Sequence, residues 1–138
     1  MKVGLFSAKQ YDIDHFDRIN QTFGLQIEYF DYRLCMRNVR LAHGFEIICA
    51  FVNDSLSEEV LIELSENGTK VIAMRCAGFN NVDLAAAKKL NLKVVNVPSY
   101  SPESVAEHTV ALMLTLNRKV HKAYQRTRDA NFSLTGLV

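Results

Sequence analysis

The chain has 138 residues, enough for one ordinary domain that buries its own core without disulfide or metal staples. Apolar residues make up 49% and only two prolines and six glycines interrupt them, which argues against a disordered or low-complexity chain. A formal charge of +1, with no acidic or basic tail, argues against a protein dedicated to nucleic acid or to a membrane surface, where binding rests on excess positive charge.

Short apolar runs alternate with helical patterns along the chain. Residues 2–6 (KVGLF) read as a strand, followed by a helix at about residues 10–22 and a glycine, Gly24, placed as a left-handed cap. LQIEYF at 25–30 is the second strand, and a helix at 37–43 ends before Gly44. FEIICAF at 45–51, a helix at 57–67 with Gly68 after it, and KVIAM at 70–74 repeat the pattern. A helix at 83–90 and a strand LKVVNV at 92–97 close the series. Strand starts at 2, 25, 45, 70 and 92 have the cadence of βα units, and continuous apolar strands imply a sheet covered on both faces. The expected fold is therefore α/β: a flavodoxin-like, doubly wound, parallel sheet of five strands, followed by a long helix.

That helix should begin at Ser101-Pro102, a capping residue followed by proline at the first helical position, with Glu103 at the positive dipole end. Val105, Thr109, Leu112 and Leu116 form one stripe, while Ala106, Val110, Met113 and Leu114 widen it, so both sides of the helix expect cover. The organisation expected is a lobe over residues 1–100 and an inter-domain helix with the start of a further domain over 101–138. The apolar Leu137-Val138 ending reads as a chain cut before its next domain.

In an open parallel sheet, ligands bind where loops gather at the carboxyl ends of the strands. RCAGFNNVD, residues 75–83, occupies that place after the fourth strand. Ala77 and Gly78 are small enough for a ligand to reach main-chain N–H groups, and a helix start capped by Asn80 or Asn81 would add a positive dipole end. Such a turn suits a small anion. From the residues alone, the favoured reading is a glycine that merely permits a tight strand-to-helix turn.

RCAGFNNVDLAAAKKLNLKVVNVPSYSPESVAEHTVALMLTLNR resembles the substrate-lobe signature of the D-isomer-specific 2-hydroxyacid dehydrogenases. The start MKVGLFSAKQYD, FVND at 51–54 and HKAYQRTRDANFSLTGL place the resemblance nearest the bacterial fermentative D-lactate dehydrogenases, over essentially the whole chain. It implies an enzyme that uses NAD to interconvert a small 2-oxoacid, pyruvate, and a 2-hydroxyacid, D-lactate. It implies that the Ala77 and Gly78 amides hold the substrate carboxylate, that Tyr100 borders the substrate, that Phe51 lines the pocket entrance and that Val105 faces the nicotinamide. By their chemistry alone, Tyr100 and Phe51 are more often core or loop packing residues than site residues. The family's GxGxxG fingerprint, substrate arginine and carboxylate–histidine pair have no counterpart here, so no catalytic residue is assigned in this chain and, taken alone, it is expected to be inactive.

Other candidates carry less. His15, His43, His108 and His121 have no ligand spacing, and Glu107-His108 lacks the HExxH pattern, so no metal is expected. Cys35, Cys49 and Cys76 form no CxxC pair and MKVGLFSAKQ holds no apolar signal run, which points to a reducing cytoplasm. Cys76, in the anion turn beside an expected helix start of the kind that can lower a thiol pKa, is read as an accessible thiol at most. Five basic residues between Arg118 and Arg128 read as a solvated helix or a subunit contact, and the wide apolar stripe suggests a homo-oligomer. The alternative to the enzyme is a stand-alone flavodoxin-like binding or interaction module. A phospho-receiver needs acids after the first and third strands, where Ser7-Ala8 and Phe51-Val52 stand, and a flavin site needs a phosphate-cradling loop that SAKQYD does not resemble.

Overall fold

The computed structural model describes residues 1–137; Val138, half of the Leu137-Val138 ending, lies outside the described residues. The chain forms two compact units, one ending at Pro98 and one beginning at Ser99.

The first unit is built on five strands: β1 (Lys2–Leu5), β2 (Gln26–Tyr29), β3 (Ile47–Ala50), β4 (Val71–Met74) and β5 (Lys93–Val95). All pair in parallel in the order β2-β1-β3-β4-β5, the flavodoxin-like order expected. Side chains alternate between faces with the strand period of two. Ile48, Ala50, Ile72 and Met74 point to one face, where they join Phe6, Phe30, Leu34 and Phe45 in the main core under α2 (Glu58–Glu66) and α3 (Leu84–Lys89). Val3, Leu5 and Cys49 point to the other face, toward Phe16 of α1 (Gln10–Phe23). Burying each large side chain of this kind contributes about 1.5–3 kcal/mol, so the α2 and α3 face carries most of the stability. Gly4 lets the Phe45 ring lie on β1, since a Cβ there would meet the ring at 3.1 Å.

Gly24, Gly44 and Gly68 all take positive φ, as expected of residues that end helices. The helix expected at 37–43 is instead a single 3-10 turn, Val39–Ala42. Its α-helical start is pre-empted by Asn38, whose side chain accepts from the Cys35 N–H at 2.8 Å and donates to the Arg33 carbonyl at 2.7 Å.

The second unit holds α4 (Pro102–Asn117) and α5 (Val120–Arg128). Proline stands at the start of α4 as expected, but Ser101 does not cap it: its hydroxyl meets that of Ser104 at 2.6 Å. Pro102 keeps the residue before it out of the helical region, and Ser101 takes φ 132°. Val105, Val110, Leu112, Met113, Leu114 and Leu116 are all exposed on α4. The basic run has a structural use, because Arg126 donates to the Ser133 and Thr135 carbonyls and Lys119 to that of Gly136. Among the described residues, no helix is long and apolar enough to cross a membrane.

Candidate functional site

The strand order reverses at β1: the chain leaves it toward β2 on one side and returns to β3 on the other. The crevice outside the carboxyl ends of β1 and β3 is where such sheets place ligands. Here that crevice is filled by the protein itself. Ser7, directly after β1, takes a left-handed φ of 54°, which costs a non-glycine residue strain that its surroundings must hold. The Ser7 N–H donates to the Tyr32 carbonyl at 2.9 Å and the Ala8 N–H to that of Phe30 at 2.8 Å. The Ser7 hydroxyl donates to Asp54 Oδ1 at 2.7 Å, and the Phe6 and Ser7 carbonyls accept from the Arg75 guanidinium at 2.7 and 2.6 Å.

Asp54 is the buried centre of this arrangement, 1% exposed. Besides Ser7 it accepts from the Leu34 N–H at 2.8 Å and the Phe51 N–H at 2.6 Å, so both of its oxygens are engaged by the protein. This weighs against two of the alternatives. The Ser7, Ala8 and Lys9 amides after β1 have internal acceptors, so this turn does not offer them to a flavin phosphate, and the acid near the third strand is sequestered rather than offered to a cation. Among the described residues, no group of three or more His, Cys, Asp or Glu side chains is placed to hold a metal.

The turn after β4 is arranged differently. The Arg75 N–H donates to the Ala50 carbonyl at 3.1 Å, Val97 N–H to the Cys76 carbonyl at 3.2 Å, and the Asn96 side chain to the Ala77 carbonyl at 2.9 Å. These bonds fix the carbonyl side of the turn. The Ala77 and Gly78 N–H groups find no acceptor among the described residues, Gly78 is exposed, and a Cβ added to it would meet nothing within 4 Å. Two adjacent main-chain donors are therefore unengaged on a turn whose carbonyl side is tied down.

Two expectations about this turn need correction. Neither Asn80 nor Asn81 caps the next helix. The Asn81 side chain is drawn to the Phe51 and Asp54 carbonyls at 3.0 and 2.9 Å, and Asp83 caps α3 instead by accepting from the Ala86 N–H at 2.9 Å. The six-residue helix starts at Leu84, well past Gly78, so it lends the turn no dipole. Cys76 is not an accessible, activated thiol: it is 3% exposed, donates to the Gly78 carbonyl at 3.2 Å, and has its pKa raised by burial.

Phe51 is half-buried at the end of β3, beside β4, with the Arg75 guanidinium 4.9 Å above its ring. Ala77, Gly78 and Phe51 thus share one edge of the sheet. Tyr100 and Val105 belong to the second unit, where both are exposed, Tyr100 just before α4 and Val105 in its first turns. Sequence reasoning passed over Asp54 and Arg75, and gave Asn81 a capping role it does not have. The available signal was a charged residue next to an apolar strand of a doubly covered sheet, a position that demands a partner.

Residues 3–133 match the family described as D-isomer specific 2-hydroxyacid dehydrogenase, catalytic domain. The chain belongs to this family. It is 57% identical over 137 residues to the D-lactate dehydrogenase of Escherichia coli, covering 99% of this chain and 42% of that protein. The apo-structure of the Escherichia coli D-lactate dehydrogenase superposes with a TM-score of 0.89 at 56% identity, over 100% of this chain and 44% of that one. A D-lactate dehydrogenase from Aquifex aeolicus, complexed with NAD and lactic acid, aligns with a TM-score of 0.76 at 33% identity, over 95% of this chain and 38% of that one. The chain therefore spans about two-fifths of the length of the curated relatives it matches. The residues present do not form a dinucleotide site: the six glycines include no GxGxxG, and the turn after β1, where a pyrophosphate would lie, is closed by Asp54 and Arg75.

Proposed function

We propose that this chain is the substrate-binding lobe of an NAD-dependent D-lactate dehydrogenase, and that it seats the carboxylate of pyruvate or D-lactate on the Ala77 and Gly78 amides. The observation that carries the reading is the pair of unengaged N–H groups at the carboxyl edge of the sheet, on a turn otherwise held by Ala50, Asn96 and Val97. Hydrogen bonds from such donors to an ionised acceptor are short and about twice as strong as neutral ones. Phe51 supplies an apolar wall on the same edge, and the family resemblance assigns Tyr100 to the substrate and Val105 to the nicotinamide. The dinucleotide is held by a domain other than this one, as are the groups that move the proton. This lobe binds and orients the 2-oxoacid, a contribution that raises rate through position rather than through chemistry of its own. The setting consistent with its free cysteines is the cytoplasm, and its exposed apolar α4 supports a homo-oligomer.

The test is oxidation of NADH with pyruvate, followed at 340 nm, by the full-length protein that carries this lobe. Turnover of pyruvate is the expected result, with the 138-residue chain alone inactive under the same conditions. Absence of turnover with pyruvate or any other 2-oxoacid would overturn the reading.

A further inference from the structure

We infer that Arg75 is a positioning residue for the substrate carboxylate: it clamps the glycine turn and Phe51 to the rigid end of β1. The inference rests on the reading of Ala77 and Gly78 given above. In the strand order, β3 lies between β1 and β4, so the Arg75 side chain, leaving the end of β4, must cross β3 to reach the Phe6 and Ser7 carbonyls. On the way it passes over the Phe51 ring at 4.9 Å, and its Nε lies 3.5 Å from Asp12 Oδ1 on α1. Both members of that ion pair are nearly buried, with side chains 11% and 13% exposed. Three elements and one aromatic wall therefore converge on a single planar cation.

The far end of the clamp is rigid for a stated reason. Ser7 holds its left-handed φ because its N–H, hydroxyl and carbonyl are bonded to Tyr32, Asp54 and Arg75 respectively. The near end leads straight into the site, since Arg75 is followed by Cys76, Ala77 and Gly78. With one N–H of each terminal nitrogen donated to Phe6 and Ser7 and its Nε turned to Asp12, the nearly buried guanidinium acts on substrate through the turn and the ring it holds.

Arg75→Met keeps most of the stem and deletes the planar head. In the full-length enzyme it should lower kcat/KM for pyruvate by about thirty- to a hundredfold, the scale of a misplacement of order 1 Å. The loss should fall mainly on KM, because the carboxylate contact is made in ground state and transition state alike. Arg75→Lys, which offers a point charge instead of a fork, should be intermediate. Hydrogen exchange read by mass spectrometry on the same proteins should show faster exchange confined to segments 51–54 and 75–81, with β1 and β4 protected as in the wild type. Wild-type KM in Arg75→Met, or wild-type exchange in those two segments, would overturn the clamp. So would accelerated exchange across all five strands, which marks a purely structural arginine. If the wild-type enzyme turns over no 2-oxoacid, the functional reading fails, and the clamp is judged by the exchange pattern alone.

Discussion

Two turns at the same edge of one sheet use their main-chain donors in opposite ways. After β1, the Ser7 and Ala8 amides and the Phe6 and Ser7 carbonyls are all bonded within the protein, around a buried carboxylate and a cation. After β4, the Ala77 and Gly78 amides are bonded to nothing among the described residues. A parallel sheet of this order ordinarily offers its switch point to a ligand. In this lobe the switch point is closed and the open donors lie one strand beyond β3. The contrast says that the Asp54 and Arg75 network closes the switch point, while the turn proposed to seat the carboxylate keeps its donors unengaged.

The largest effect should come from opening the closed turn. Asp54→Ala leaves the Ser7 hydroxyl and the Leu34 and Phe51 amides without their acceptor, at a cost of about 3–5 kcal/mol for several buried donors orphaned together. Urea denaturation followed by far-ultraviolet circular dichroism should show the midpoint falling accordingly; an unchanged midpoint would mean that the closed turn is not what holds this edge together. A smaller effect should appear at alkaline pH through Cys49. Burial pushes this thiol from 9.0 up to about 11, against the opposing pull of the Arg75 guanidinium. The unfolded thiol then loses its proton first, so stability is full below pH 9 and declines as pH rises to 11, by up to about 3 kcal/mol. Cys49→Ala should flatten that part of the stability profile, and an identical alkaline decline in the variant would remove Cys49 as its source.

The sheet was legible because its signal is local. Runs of Val, Ile and Phe at intervals of about one βα unit fix five parallel strands, and glycines at 24, 44 and 68 mark helix ends by a conformation that other residues avoid. The closed turn was not legible, because its bonds join residues far apart in sequence: Arg75 reaches Phe6 across 69 positions and Asp54 reaches Ser7 across 47. Position within RCAGFNNVD shows the same limit. Asn80, Asn81 and Asp83 are all good caps by local chemistry, and the carbonyls of Phe51 and Asp54, which no local rule can supply, decide that Asn81 is otherwise engaged. Cys76 followed from that error, since without a helix start beside it burial outweighs the opposing pull of the Arg75 guanidinium.

The open turn is the half of the comparison that a single side chain can sharpen, because Gly78 allows its N–H to be removed or kept at will. Gly78→Pro deletes one of the two donors, and since that N–H carries no internal bond, the fold should survive the change. In the full-length enzyme the loss of one charge-assisted bond corresponds to about 1.5–3 kcal/mol, which raises KM for pyruvate by roughly ten- to more than a hundredfold. Gly78→Ala keeps the donor. A Cβ there meets no atom within 4 Å and the position does not require positive φ, so both KM and stability should stay near the wild type. The pair separates donor from backbone freedom. If alanine damages KM as much as proline does, the glycine serves flexibility or close approach and the amide assignment is wrong; if neither does, the carboxylate is bound elsewhere on this edge.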